Sequence, residues 1–108
     1  MKFIFAMLTL LISLTAQAAP PELLLKVMIC ESGLRYNAWG DDHKSFGIAQ
    51  FRKETFYEFA EQAKKEMKTA GFWPPNWQNP QHQLFLLNWG IDNGYGRRWE
   101  CYRTITEE

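Results

Sequence analysis

The chain has 108 residues, with 12 Lys and Arg against 12 Asp and Glu, so its formal net charge is zero. This length accommodates one domain, and the charge balance argues against a protein that binds nucleic acid by neutralising phosphates. Aromatic residues make up 16% of the chain, which excludes an intrinsically disordered segment. The sequence therefore predicts a single folded domain.

The first 18 residues have the pattern of a secretory signal peptide. A short positive start, Met1-Lys2, precedes an apolar run that ends at Leu14, and small residues at positions 16 and 18 bracket a cleavage site. The apolar run is too short to span a bilayer comfortably. We expect residues 1–18 to be a signal peptide and 19–108 to be an exported domain, periplasmic or extracellular, with no membrane span after cleavage. An uncleaved N-terminal anchor is the alternative.

The only two cysteines, Cys30 and Cys101, lie at opposite ends of the exported part. An oxidising compartment favours their pairing, and closing so long a loop contributes on the order of 4 kcal/mol of stability. Two free buried thiols are the alternative. We expect neither a metal nor a cofactor, because two cysteines are too few for structural zinc and His43 and His82 lack ligand-like spacing.

The first helix is predicted from about Pro21 to Cys30, with proline at an early position and Gly33 closing it. On a helical wheel Glu31 falls between Val27 and Leu24, so its carboxyl group points into the apolar stripe. The alternative is an ordinary helix-end residue whose side chain reaches solvent.

No helical period holds from residue 33 to residue 51. The sequence Gly40-Asp41-Asp42 indicates a turn, and residues 45–51 are expected to be a short extended or looped segment. A second helix is predicted from Lys53 to Ala70, since its apolar residues follow the i, i+3, i+4, i+7 rule and Gly71 is a good stop.

A third helix is predicted to begin with Asn79 as cap and Pro80 in its first turn, and to end at Asn93-Gly94. It is apolar over most of its circumference, so we expect it in the core. Residues 94–102 are predicted to form a turn that brings Cys101 back toward the first helix. The expected fold is a compact, mainly helical domain whose cleft is lined by residues 33–51.

Glu31 is the strongest candidate for a catalytic residue. A carboxyl group held against apolar side chains is desolvated in its charged form, which raises its pKa. With a pKa nearer neutrality, such a group donates a proton to a leaving oxygen and later takes one back.

Four short motifs follow one another along the chain. They are Cys30-Glu31-Ser32-Gly33, Phe46-Gly47-Ile48-Ala49-Gln50-Phe51, Thr55-Phe56 and Gly96-Arg97-Arg98-Trp99-Glu100-Cys101. Together they resemble the lysozyme-like superfamily, in particular the small domains of soluble lytic transglycosylases and resuscitation-promoting factors. A Glu-Ser pair ending a helix and a later Gly-x-x-Gln form the transglycosylase pattern. A Cys before that Glu and a Trp-x-Cys near the end resemble the resuscitation-promoting factors.

This resemblance implies a mainly α (α+β, lysozyme-like) fold, with a substrate cleft and a short irregular or β segment after the catalytic helix. It also implies cleavage of the β-1,4 bond between N-acetylmuramic acid and N-acetylglucosamine in peptidoglycan glycan strands. We expect the protein to be a monomer. Glu31 would be the catalytic acid and later the base. Gly47 and Gln50 would line the floor of the cleft, and Ser32 would orient Glu31 or the substrate's acetamido group.

Two mechanisms remain open for this bond. With Glu31 alone, the substrate's acetamido oxygen assists and its own 6-hydroxyl completes the reaction, giving 1,6-anhydro ends as in a lytic transglycosylase, which we favour. With Asp41 or Asp42 as a second carboxylate, the enzyme would be a muramidase that hydrolyses the bond. Both aspartates also suit a turn. A catalytically silent wall-binding module is the remaining alternative.

Loop aromatics are candidate glycan contacts, because sugar rings stack on aromatic faces. The late Tyr-Asn-Ala-Gly sequence of the transglycosylases is missing, and Tyr95 lies in its loose counterpart. Arg97 and Arg98 are expected either to meet acidic peptide stems of the wall or to be structural. The candidate contacts are Tyr36, Trp39, Trp73, Trp77 and Tyr95, whereas Phe56, Phe59, Phe85 and Trp89 are expected in the core.

Overall fold

The computed structural model describes residues 19–107, so the predicted signal peptide lies outside the described residues. In this range the chain forms five α-helices, one 3₁₀ helix and a small three-stranded sheet. In chain order they are α1 (Pro21–Ser32), β1 (Trp39–Gly40), β2 (Ser45–Phe46), β3 (Phe51–Arg52), α2 (Lys53–Gln62), α3 (Lys64–Thr69), α4 (Pro80–Asp92), the 3₁₀ helix (Gly96–Arg98) and α5 (Glu100–Thr106). The predicted mainly α class with a short β segment after the first helix is confirmed.

Helix α1 is two residues longer than predicted and ends at Gly33. The glycine adopts φ +64° and its N–H donates to the carbonyl oxygen of Ile29, a left-handed cap that glycine accepts without steric cost. The extra residues stay helical because Ser32 is buried and its hydroxyl donates to the carbonyl oxygen of Ile48 at 2.8 Å. Glu31 therefore lies in the last turn of the helix.

The segment predicted to be irregular folds into an antiparallel sheet with the strand order β1-β2-β3. Phe46 lies at its centre, opposite Trp39 on one side and Phe51 on the other. The turn predicted at residues 40–42 is confirmed and extends to His43. Asp41, Asp42 and His43 all have positive φ, at 51°, 56° and 68°, a conformation that aspartate tolerates better than most residues.

The helix predicted from Lys53 to Ala70 is interrupted at Ala63, which has φ −93° and ψ 15°. Phe59 before the break and Met67 after it are both fully buried. The change of direction at Ala63 lets both halves of the segment, α2 and α3, turn their apolar faces to the same core.

Helix α4 begins as predicted. The Asn79 side-chain oxygen accepts from the backbone N–H groups of Gln81 and His82, which satisfies two donors that the first helical turn leaves free. Leu86 and Leu87 are fully buried, so α4 is the central helix of the core. Phe56 and Phe59 are buried in the same core, and Phe85 and Trp89 pack against it, as predicted.

Residues 94–102 bring Cys101 back to the first helix, as predicted, but the segment is largely helical rather than a turn. Only Gly94 and Tyr95 form a connection there, and the 3₁₀ helix and α5 follow. Helix α5 has seven residues, with no side-chain N-cap and no fully buried residue. Its sequence therefore shows little of the apolar periodicity that predicts a helix. Tertiary anchoring holds it, since the predicted disulfide between Cys30 and Cys101 joins it to α1, with the two Cα atoms 5.9 Å apart.

Among residues 19–107, no helix is both long and apolar enough to cross a membrane.

Candidate active site

An open cleft of about 510 Å³ lies between the end of α1, the sheet and the C-terminal helices. Its lining is mostly polar and comes from segments far apart in sequence. The lining residues are Glu31, Gly40, Asp41, Ser45, Gln50, Phe51, Arg52, Thr55, Arg98, Trp99, Glu100 and Arg103. The predicted cleft beside residues 33–51 is therefore present, and Glu31 and Gln50 both face it.

Glu31 is half-buried in the wall of this cleft. The backbone N–H of Cys101 donates to its Oε2 at 3.4 Å. Desolvation raises the pKa of the Glu31 carboxyl above its usual value, and the Cys101 N–H acts against this by favouring the charged form. The carboxylates of Asp41 and Glu100 raise the pKa further, whereas Arg103 lowers it. The net effect is a carboxyl group that keeps its proton to a higher pH than an exposed glutamate.

Gln50 stabilises the backbone at the floor of the cleft through two hydrogen bonds. Its Nε2 donates to the carbonyl oxygens of Ala38 and Gly47, at 3.0 and 2.9 Å. Its Oε1 lies so close to Gly40 that any side chain at position 40 would collide with it. Gln50 thus bridges β1 and the segment before β3, while part of its side chain faces the cleft.

Gly47 lies behind this floor rather than on its surface. It has φ +91°, and a Cβ at this position would overlap the side chain of Gln83. Both the backbone conformation and the close approach therefore require glycine. Ser32 is likewise behind the floor, with its hydroxyl bonded to Ile48.

Sequence reasoning missed Gln83, the buried polar residue that supports the floor from below. Its Nε2 donates to the carbonyl oxygens of Phe46 and Trp77, at 2.8 and 2.7 Å, and its Oε1 accepts from the N–H of Ala49 at 3.0 Å. The only signal in the sequence is a glutamine within a helix that is otherwise apolar over most of its circumference. The indole N–H of Trp99 adds a further bond, to the carbonyl oxygen of Ala49 at 2.9 Å.

The loop aromatics take different positions, and none of them lines the cleft within the described part of the chain. Trp39 packs against Phe46 and Trp77, with ring centroids 4.8 and 5.9 Å away, and it is 46% exposed. Trp39 directly precedes the cleft residue Gly40 in β1, but it is not among the residues that line the cleft. Tyr36 is also exposed, in the loop after α1.

Trp73 and Tyr95 lie elsewhere. The Trp73 ring lies under the ammonium groups of Lys64 and Lys68. Tyr95 stacks on Trp89 and lies beneath the guanidinium of Arg98. Tyr95 does not line the cleft itself, but it contacts the cleft residue Arg98.

In two pairs of adjacent residues that the sequence did not distinguish, only one member of each pair lines the cleft. Asp41 lines the cleft and accepts from the Ser45 hydroxyl at 2.9 Å, whereas Asp42 is not among the lining residues. Arg98 lines the cleft, whereas Arg97 pairs with Glu107 outside it.

Within residues 19–107, no group of three or more His, Cys, Asp or Glu side chains is arranged to hold a metal ion. His82 has a structural contact, since its Nδ1 accepts from the N–H of Asn76 at 2.9 Å. Burial lowers the pKa of His82.

Comparison of the chain with protein-family models, curated proteins and solved structures gives no match. The evidence for a function therefore comes from the four sequence motifs and from the geometry of the cleft.

Proposed function

We propose that the protein is an exported lytic transglycosylase that cleaves the β-1,4 bond between N-acetylmuramic acid and N-acetylglucosamine in peptidoglycan. The observation that carries the proposal is the half-buried Glu31 carboxyl in the wall of an open cleft, with its pKa raised by desolvation. The four motifs shared with the lysozyme-like superfamily support it, because Glu31 and Gln50 from two of them face the same cleft.

In the first step, the protonated Glu31 carboxyl donates its proton to the glycosidic oxygen. The bond between this oxygen and the anomeric carbon breaks, and the acetamido oxygen of the muramic acid residue bonds to the anomeric carbon. Burial supports this step because it keeps Glu31 protonated in a pH range where an exposed glutamate is ionised.

In the second step, the Glu31 carboxylate takes the proton of the same sugar's 6-hydroxyl group. The oxygen of that group bonds to the anomeric carbon while the acetamido oxygen leaves, which gives a 1,6-anhydro end and consumes no water. The Cys101 N–H supports this step, since it is a fixed donor to Oε2 that stabilises the ionised form. The surroundings of Glu31 thus contain influences that favour each of its two charge states: burial favours the protonated form and the Cys101 N–H the ionised form.

One observation favours a second candidate, a muramidase that hydrolyses the same bond. Asp41 lines the cleft, and its charge acts on Glu31. A second carboxylate in the cleft provides the usual pair for glycoside hydrolysis. The hydrogen bond from Ser45 and the positive φ of Asp41 also fit a residue that forms the β1–β2 turn.

The test is mass spectrometry of fragments released from purified peptidoglycan by a chain beginning at Ala19. We expect wild-type protein to release fragments and Glu31→Gln to release them at least about 100-fold more slowly, because a general acid and base is removed. Glu61→Gln, an exposed change on α2 outside the cleft, is the matched control and should retain wild-type activity.

Wild-type activity in the Glu31→Gln variant would contradict the role of Glu31. If the folded, oxidised wild-type protein released no fragments from several wall preparations, the proposed cleavage would be contradicted and the wall-binding alternative favoured.

A further inference from the structure

Three arginines from three different elements face the cleft. Arg52 is the second residue of β3, Arg98 ends the 3₁₀ helix and Arg103 lies in α5. The proposed reaction uses the Glu31 carboxyl, the acetamido group, the glycosidic oxygen and the 6-hydroxyl oxygen. None of its steps assigns a role to these guanidinium groups. Their presence in the cleft therefore calls for a separate explanation.

The three arginines differ in what they already bind. Arg98 pairs with Glu58 at 3.3 Å and lies over the rings of Phe59 and Tyr95. Arg103 donates through Nη1 to the carbonyl oxygen of Arg97 at 2.6 Å. That bond leaves its other guanidinium donors available, and its charge reaches Glu31, whose pKa it lowers.

Arg52 is the arginine with the most freedom to bind a ligand. It is exposed at the cleft, and its guanidinium forms no ion pair with a carboxylate in the part of the chain that the structure describes. Arg97, which lies outside the cleft, is by contrast already paired with Glu107. A guanidinium group presents a planar set of donors that matches a carboxylate in a two-bond arrangement.

We propose that Arg52, assisted by Arg103, binds a carboxylate at or beyond the lactyl group of N-acetylmuramic acid. This contact makes the enzyme prefer glycan strands that carry carboxylates. This inference rests on the proposed function. The carboxylate has two sources with the same chemistry, namely the peptide stem attached to the lactyl group or the lactyl group itself where the stem has been removed.

The experiment compares cleavage of three forms of peptidoglycan. The first carries intact stems, the second has been stripped of stems by an amidase, and the third is stripped and its lactyl carboxylates are converted to amides. We expect wild-type protein to cleave carboxylate-bearing strands about two- to fivefold faster than the amide form, the range of one exposed ion pair. Preference for the first form alone identifies the stem as the source, and preference for the second form alone identifies the lactyl group, whose carboxyl is bonded as an amide to the stem in the first form. Equal preference for the first two forms shows that either carboxylate is bound.

Arg52→Gln should lose this preference, so that its rates on the three forms become equal to one another, and Arg52→Lys should retain part of the preference. Arg97→Gln is the matched control and should keep the wild-type preference. A wild-type enzyme without preference, or an Arg52→Gln variant with the full preference, would overturn the inference.

A second readout keeps this inference separate from the proposed function. If wild-type protein cleaves none of the three polymers, binding of soluble stem-bearing disaccharide fragments to Glu31→Gln is measured by calorimetry, with and without Arg52→Gln. Binding weakened about two- to fivefold by Arg52→Gln supports the carboxylate site even though the proposed cleavage fails. Equal binding by the two proteins rejects the site.

Discussion

Glu31 shows how the position of a residue in a helix raises its pKa. It lies in the last turn of α1, after the buried residues Val27 and Met28 and next to the buried Ser32. The helix end brings its carboxyl group to the cleft, while the neighbouring residues keep water from surrounding it. Helical periodicity predicted the direction of the Glu31 side chain. The predicted Cys30–Cys101 disulfide already placed Cys101 near Glu31. The direction of the Cys101 N–H toward Oε2 could not be predicted, because it depends on how α5 packs against α1.

The raised pKa of Glu31 predicts a pH-dependent stability. Its pKa in the folded protein exceeds the ordinary value of 4.5. The contribution of this carboxyl to stability is therefore fully present below about pH 4.5 and is lost as the pH rises through the folded pKa. Because glutamine does not ionise, Glu31→Gln should gain stability relative to wild type with rising pH and then reach a plateau.

Urea denaturation of both proteins at pH 4, 6 and 8 measures this difference. Glu61→Gln should show no comparable trend, because Glu61 is exposed. A difference between Glu31→Gln and wild type that stays constant across this pH range would contradict the desolvation of Glu31.

At the scale of elements, the segment from residue 46 to residue 50 is held by side chains from three helical regions. Ser32 of α1 binds Ile48, Gln83 of α4 binds Phe46 and Ala49, and Trp99 binds Ala49. Except for one bond from Gln83 to Trp77, each of these bonds ends on the backbone of the segment, which positions Gln50 on the floor of the cleft. This support gives a short, mostly irregular segment a defined position next to Glu31.

Replacing Gln83 should loosen this floor. Gln83→Leu would leave the Ala49 N–H and the carbonyl oxygens of Phe46 and Trp77 without their partner in a buried site. One such unsatisfied group costs about 1–3 kcal/mol, so we expect a total loss of roughly 3 kcal/mol or more. Urea denaturation measures it.

The matched control is Gln81→Leu, an exposed position on the same helix, which should change stability by less than about 0.5 kcal/mol. A Gln83→Leu variant with the wild-type denaturation midpoint would show that these three bonds do not stabilise the floor.

Elements that begin and end at local sequence signals were predicted, whereas features that depend on contacts between distant parts of the chain were missed. Helices α1 and α4 were predicted because proline, the Asn79 cap and the Gly33 stop are local signals. Helix α5 was missed because the bond from Cys101 to Cys30, rather than its own sequence pattern, ties it to the fold. The break at Ala63 was missed for a related reason, since it lets α2 and α3 share one core and no proline or glycine marks it.

At the scale of the whole molecule, the cleft forms where the two ends of the described chain meet. Glu31 comes from its first helix, and Arg98, Trp99, Glu100 and Arg103 come from its end, with the disulfide joining the two regions. The sequence motifs predicted Glu31 and Gln50 as site residues. They could not predict Arg52 or Arg103 as cleft residues, because membership of the cleft depends on how the sheet and α5 pack around it.

The central claim is that Glu31 cuts the glycan without water, and digestion of peptidoglycan in water enriched in heavy oxygen tests it most directly. Transglycosylation predicts new ends that are lighter by one water and carry no heavy oxygen, in wild-type digests and in those of Asp41→Asn. New ends of full mass that carry one heavy oxygen, and that disappear with Asp41→Asn, would contradict this account and identify a hydrolase with two carboxylates.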